Sequence, residues 1–389
     1  MAALGLAWAR PSLAAVGPGR SLLTVWLEGG PSQRETFDPH PNDPAGLVKT
    51  SLGGVAFASF YPRLAERAHL LSVIRSLTST EADHERGAYA LKTGHRPEPG
   101  VVHPSLGAIA AWLAGAPKVL PAHVSLMKSS WPGRGGLLGP TFDAFKIASP
   151  GEHLDNLEPR TAGRDERRLA ALQTVTAAFE RSRPGAPLRH RETLDAALAM
   201  MRSDELEAFK VETEPAAVRA AYGSSAFGQG CLVARRLLEH GVPAVEVTLS
   251  GFDTHAANLE GHREQAALLD PALSALLDDL HARELLRSTV VIVLGEFGRT
   301  PKINAAGGRD HWPHAFSCLL AGGGLRSGVV VGETDPAGEK RAPRDPVPIA
   351  DLSATVVAAL GAQPERVVDS GEGRPIALSS GRARMELLT

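Results

Sequence analysis

The chain has 389 residues, enough for one large α/β domain or two smaller ones, with a core that needs no covalent staple. Charge is nearly balanced, 41 Lys+Arg against 43 Asp+Glu, so there is no one-signed field of the kind that recruits nucleic acid or an anionic membrane. Cys231 and Cys318 are the only cysteines; this excludes a disulfide framework and a Cys-rich metal knuckle, and leaves a single bridge open.

Residues 1–20 carry a short apolar stretch, Leu4 to Ala9 and Pro11 to Val16, with Ser12-Leu13-Ala14 near a small-x-small cleavage pattern. A basic segment before it is missing, because Arg10 comes late. The expectation is an exported protein, periplasmic or extracellular, with a cytoplasmic protein bearing a disordered terminus as the alternative. No run reaches the ~20 apolar residues of a membrane span, so no integral membrane segment is expected.

From residue 21 the pattern reads as one domain to 389. A first strand, Ser21 to Leu27, breaks at Glu28-Gly29-Gly30-Pro31. Leu64 to Leu71 reads as a helix and Ser72 to Leu77 as a strand. Ala82 to Leu91 opens a helix stopped at Gly94. Pro104 to Ala114 follows as a helix, then a strand at Ala122 to Leu126. Gly133 to Asp165 is rich in Gly and Pro and reads as a surface excursion. With the Ala-rich helical stretches Arg167 to Arg181, Glu192 to Arg202 and Ala217 to Tyr222, it forms an insertion at roughly 133–222. Phe227 to Glu239 is an amphipathic helix, Ala244 to Leu249 a strand, and His262 to Leu286 a long helix with a leucine stripe. The strand Thr289 to Leu294, further short strands at Phe316 to Ala321 and Gly328 to Gly332, and a last helix from Ala350 to Leu360 complete the chain. Strands alternating with helices predict an α/β fold, a mainly parallel sheet covered on both faces.

In such sheets ligands gather at the carboxyl ends of strands, and the charged residues of this chain collect there. Gly251-Phe252-Asp253-Thr254-His255 follows one strand, and an Asp and a His two apart suit zinc or manganese, or else a simple Asx turn. GEFGRTPKIN and GRDHWP follow another strand and add Glu296, Arg299, Arg309, Asp310 and His311. There His311 is a third candidate ligand, with Asp310 able to orient an imidazole. Glu296 is a fourth, or a partner of Arg299 or Arg309 in a structural ion pair. Glu28 puts another carboxylate on the same edge, or only marks a strand break. Asp83-His84-Glu85 begins a helix, where Asp83 would serve as an N-cap or the helix end would meet an anion.

These motifs resemble those of the bacterial family known as domain of unknown function 1501. The residues that carry the likeness are Gly29-Gly30-Pro31-Ser32, Thr36-Phe37-Asp38-Pro39, Leu91-Lys92-Thr93-Gly94-His95-Arg96-Pro97, Asp253-Thr254-His255, and the GEFGRTPKIN, GRDHWP and LLAGGG segments. By motif order and spacing the chain is also similar to the alkaline phosphatase and sulfatase superfamily. That resemblance implies a three-layer α/β/α fold and a site in which Asp253, His255 and His311 hold one divalent metal, zinc first, with manganese or calcium as alternatives. It places Glu28 where an Asp ligand of a second metal usually stands, and Glu296-Phe297 where an Asp-His pair does. His84 falls at the nucleophile position, and Asp270 and the ending from Pro348 to Pro375 match in order. With an apolar Phe297 and no hydroxyl or thiol at position 84, the resemblance implies either of two activities. One is a single-metal hydrolase acting on phosphate or sulfate esters, small or polymeric. Here His84 and Glu296 would be catalytic, Arg299 and Arg309 would clamp the anion, and Glu28 and Glu296 would be additional ligands. The other is a binding or scaffold member that does not turn over.

Overall fold

The computed structural model describes residues 21–115, 119–151, 164–182, 198–201, 203–335, 337, 339–369 and 375–389. The expected leader at 1–20, Gly373-Arg374 and most of the expected helix from Glu192 to Arg202 lie outside them.

Among the described residues, nine strands form the main sheet: β1 Ser21–Glu28, β2 Leu71–Thr78, β3 His123–Leu126, β4 Phe145–Ile147, β5 Ala244–Ser250, β6 Thr289–Leu294, β7 Phe316–Gly322, β8 Val330–Val331 and β9 Val347–Pro348. Their order is β8-β2-β7-β6-β1-β5-β3-β4, with β9 also on β2. β1 runs parallel to β5 on one side and β6 on the other. The near-continuous burial of these strands is what a sheet covered on both faces produces. The period of two along β1 divides it cleanly. Leu23, Val25 and Leu27 enter one apolar core with the helices Ala226–Glu239 and Asn258–Ala282. Leu22 and Trp26 enter a second core on the other face with the helices His84–Thr93, Leu106–Ala114 and Ile349–Ala359. The result is the three-layer α/β/α arrangement with a mainly parallel sheet.

Several local readings change. β7 lies antiparallel between β2 and β6, a direction that periodicity cannot report. The stretch read as a surface excursion contains β4, which pairs parallel with β3 at the sheet edge. The helix expected at Leu64 to Leu71 is a short helix, Pro62–Glu66, and a 3-10 turn, Ala68–Leu70. Its first turn is capped from far away: Asp270 accepts the backbone N–H groups of Arg63 and Leu64 at 3.1 and 2.8 Å. Asp270 therefore serves a helix N-terminus. The long helix begins four residues earlier than expected and ends at Ala282, followed by a 3-10 turn at Leu285–Ser288. Cys231 and Cys318 are free, buried thiols on opposite faces of the sheet. Among the described residues, no helix is long and apolar enough to cross a membrane.

Candidate metal centre

Because β1 lies between β5 and β6, the loops that leave their carboxyl ends are neighbours. The contact between the β1 and β5 loops is close enough to require glycine. Gly29 has φ +114°, and a Cβ there would stand 2.4 Å from the backbone nitrogen of Asp253. After β6 the chain makes a two-residue ribbon in which Gly298–Arg299 pairs antiparallel with His311–Trp312. That ribbon returns His311 to the cluster.

Asp253, His255 and His311 meet. Asp253 Oδ1 lies 3.2 Å from His255 Nε2 and 3.5 Å from His311 Nε2, and the two Nε2 atoms are 3.0 Å apart. A tetrahedral ion with bonds of 2.0–2.1 Å holds its ligand atoms about 3.3 Å apart. The outer nitrogens fix the tautomers. His311 Nδ1 is 2.6 Å from the carbonyl oxygen of Ala82, which can only accept, so this nitrogen carries the proton. His255 Nδ1 is 2.9 Å from Asp310 Oδ1, and the carboxylate imposes the same choice. Hydrogen bonding to His255 holds the Asp310 carboxyl below its ordinary pKa. Both rings thus turn Nε2 toward one carboxylate oxygen, an arrangement that a proton or a cation must bridge. Burial lowers the His311 pKa, and the nearby Arg299 charge lowers it further, which disfavours the proton.

His84 opens the helix His84–Thr93, and Asp83 is its N-cap, accepting the Arg86 N–H. The His84 ring reaches the same cluster: Nε2 lies 3.3 Å from Asp253 Oδ2 and Nδ1 lies 2.7 Å from Glu296 Oε1. The hydrogen bond to Glu296 raises the His84 pKa. His84, Asp253 and His311 also bring ligand atoms within 4.8 Å of one another, so the imidazole is an alternative ligand by position.

Glu296 is fully buried. Its Oε1 also accepts the Gly29 N–H at 2.9 Å, while Oε2 has no partner. The expected pairing of Glu296 with Arg299 or Arg309 is not what forms, because those guanidinium groups are spent elsewhere. Arg299, fully buried, donates to Asp253 Oδ1 at 2.6 Å and to the carbonyls of Gly29, Gly30 and Arg309. Burial works to raise the Asp253 carboxyl; Arg299 outweighs it and holds the group below the usual carboxylate range. Arg309 pairs with buried Glu35 at 2.8 Å and donates to the carbonyls of Thr300 and Pro301. Neither presents an open fork to a ligand in this conformation. Glu28 is engaged elsewhere, receiving hydrogen bonds from Ser129 Oγ and from Ser130 N and Oγ, at 3.2, 3.1 and 2.8 Å. Phe297 is buried beneath the imidazoles, its ring centroid 4.3 Å from that of His311 and 5.0 Å from that of His84. Sequence reasoning missed Glu35, which stands in a loop of mixed polarity with no periodic signal, and the carbonyl of Ala82, which no side-chain pattern can reveal.

Residues 19–388 match the family described as "Protein of unknown function (DUF1501)", and the chain belongs to it. No curated protein matches the sequence. Among solved structures the chain is similar to the lipoteichoic acid synthase LtaP from Listeria monocytogenes at 10% identity and TM-score 0.43, covering 96% of this chain and 77% of that one. It is also similar to the PsFucS1 sulfatase from Pseudoalteromonas sp. at 12% identity and TM-score 0.40, covering 97% and 77%. A third is an alkaline phosphatase superfamily protein from Vibrio parahaemolyticus, at 14% identity and TM-score 0.41, covering 89% and 67%.

Proposed function

We propose that this chain is a hydrolase of phosphate or sulfate esters, of the alkaline phosphatase and sulfatase type, that works with one divalent cation held by Asp253, His255 and His311. The observation that carries the reading is the convergence of two imidazole Nε2 atoms and a carboxylate oxygen at 3.0–3.5 Å. Two imidazoles and one carboxylate favour zinc, with manganese or calcium as harder alternatives. Such a cation, when bound, polarises an ester oxygen and acidifies water. The protein's own part falls to His84. Its raised pKa suits it to donate a proton from Nε2 to the departing alkoxide as water attacks phosphorus or sulfur and the ester bond breaks. Glu296 holds the His84 ring in register, Arg299 supplies positive charge beside Asp253, and Arg309 anchors the loop that carries His311. Phe297 offers no ligand, which limits the site to a single tight ion. A non-catalytic binding module is the second reading, favoured by an imidazole at position 84 where a hydroxyl or thiol nucleophile would stand.

Titrating the metal-stripped protein with zinc tests the first reading: one tight equivalent is expected, two would refute the single-ion site, and none would leave the binding module. With zinc bound, turnover of p-nitrophenyl phosphate and p-nitrophenyl sulfate should fall about 10²- to 10⁴-fold in His84→Gln, with metal content unchanged. Unaltered turnover in that variant would remove His84 from the chemistry.

A further inference from the structure

His95 and His103, which the ester chemistry above does not use, close a surface loop at its two ends. Their rings lie face to face, with centroids 3.8 Å apart and planes 4° from parallel. Between them residues 96–100 are exposed, Glu98 bridges to Val101, and Arg96 reaches Glu81 at 2.9 Å from an open position where an ion pair adds little. The helix His84–Thr93 leads into this loop at Gly94, φ +75°. The Tyr89 hydroxyl accepts the His103 N–H at 2.8 Å, and Thr93 Oγ1 accepts the His95 N–H at 3.1 Å. The stacked pair is also a partition. His103 lines a cleft of about 460 Å³ between that helix and the segment 130–146, and His95 lines a groove of about 520 Å³ beside residues 78–80 and the start of the helix Ile349–Ala359. Among the described residues the cleft and the groove share no lining side chain.

Among the described residues, His95 Nε2 and both nitrogens of His103 are buried without a hydrogen-bond partner, and His95 meets the backbone of Leu378. A neutral imidazole must place one N–H and an imidazolium two. The closed loop offers His103 no acceptor for a second proton, and two positive rings in face contact repel. Orphaned nitrogens already make the closed form costly, so local opening is within reach. Burial, and after it the facing His103, pushes the His95 pKa down to about 4, and burial lowers that of His103 as well. Titratable groups approach from each side: Arg96 and Glu98 in the loop and groove, Glu85, Tyr89 and Lys92 on the helix, and Arg134, Asp143 and Lys146 across the cleft. Of these, Glu98 acts on both rings and favours the proton, but it is exposed and water screens it.

We propose that the His95–His103 stack is an acid-operated clasp: with both rings neutral it shuts the loop and keeps cleft and groove apart, and when both take a proton the rings part, the loop opens and the two spaces join. The opened loop binds more protons than the closed one, because its imidazoles return to an ordinary affinity near pH 6.5. Closure is therefore fully favoured above about pH 6.5 and is lost as pH falls toward 4, by up to about tenfold in the closed-to-open ratio per pH unit for each ring. This device goes beyond the ester-hydrolase reading and stands whether or not the chain turns over an ester.

Amide hydrogen exchange of the full chain, followed by mass spectrometry at pH 7 and pH 4.5 and corrected for the intrinsic pH dependence of exchange, tests the clasp. The double variant His95→Phe with His103→Phe keeps two stacked rings that take no proton. Between the two pH values, peptides spanning 94–104 of the native chain should lose at least about tenfold more protection than the same peptides of the variant. Peptides from β1 and β6, which report opening of the whole domain, should change alike in both proteins. His103→Phe alone removes one of the two titrating rings and should fall between them, and it replaces the double variant if circular dichroism shows that the latter does not fold. Equal loss at 94–104 in the native chain and a folded variant would overturn the proposal. So would an excess loss in the native chain that extends equally to β1 and β6.

Discussion

Removing the carboxylate of Asp310 should weaken metal binding without disturbing the fold, and the size of the effect follows from what that group touches. Asp310 Oδ1 receives the His255 Nδ1 proton at 2.9 Å and a weaker contact from Asn304 at 3.4 Å. The His255 side chain is 48% exposed, so little packing holds its ring in place. The backbone of residue 310 is held independently: its carbonyl accepts the Thr300 N–H, and its own N–H donates to Thr300 Oγ1. Asp310→Ala therefore frees one imidazole rotor, costing up to about 1 kcal/mol in ordering on binding. It also removes a charge-assisted hydrogen bond worth about 1.5 kcal/mol or less at this exposure. Together these match the roughly 10- to 100-fold loss of affinity seen when an outer partner of a metal-binding histidine is lost. Asp310→Asn retains an acceptor and should fall between the variant and the native chain. The assay is competition for zinc against a chromophoric chelator near neutral pH, with thermal unfolding in EDTA to show that the metal-free fold is unchanged. A zinc Kd in Asp310→Ala within about twofold of the native value would refute the tautomer argument.

Two further outcomes concern stability. Arg309 and Glu35 are each 1% exposed and paired at 2.8 Å; Arg309→Met leaves a buried carboxylate alone and should cost about 3–5 kcal/mol in urea unfolding, with Glu35→Gln added to it recovering part of the loss. His262 is fully buried, accepts the Ser32 N–H at Nε2 and donates from Nδ1 to the Asn258 carbonyl, and burial pushes its pKa down to about 4. The unfolded chain, with an ordinary imidazole near 6.5, binds the extra proton first. This group's contribution is therefore fully present above about pH 6.5 and is lost as pH falls toward 4, up to about 3 kcal/mol in all. Urea unfolding in EDTA across that window should show a steeper loss for the native chain than for His262→Gln, and equal slopes would refute the assignment.

The strands, the helices and the edge at which chemistry gathers were legible in the sequence because they depend on short-range patterns. A β-branched apolar run broken by glycine identifies β1, β5 and β6; Asp83 before His84 and Gly94 after Thr93 bound a helix. The convergence of Asp253, His255 and His311 follows from two strand-end loops, after β5 and after β6, on one side of a mainly parallel sheet. Tertiary structure alone decided which partner each buried charge takes. Arg299 and Arg309, both free in sequence terms to meet an anion or Glu296, are spent on Asp253, Glu35 and backbone carbonyls. Glu28 serves Ser129 and Ser130, and Asp270 caps a helix some 200 residues away in sequence. The direction of β7 and the pairing of β4 were likewise fixed by neighbours distant in the chain. A side chain's pattern reports whether it will be buried, but a buried charge or strand edge must be satisfied by whatever the fold brings alongside it, and that is a property of the assembled molecule.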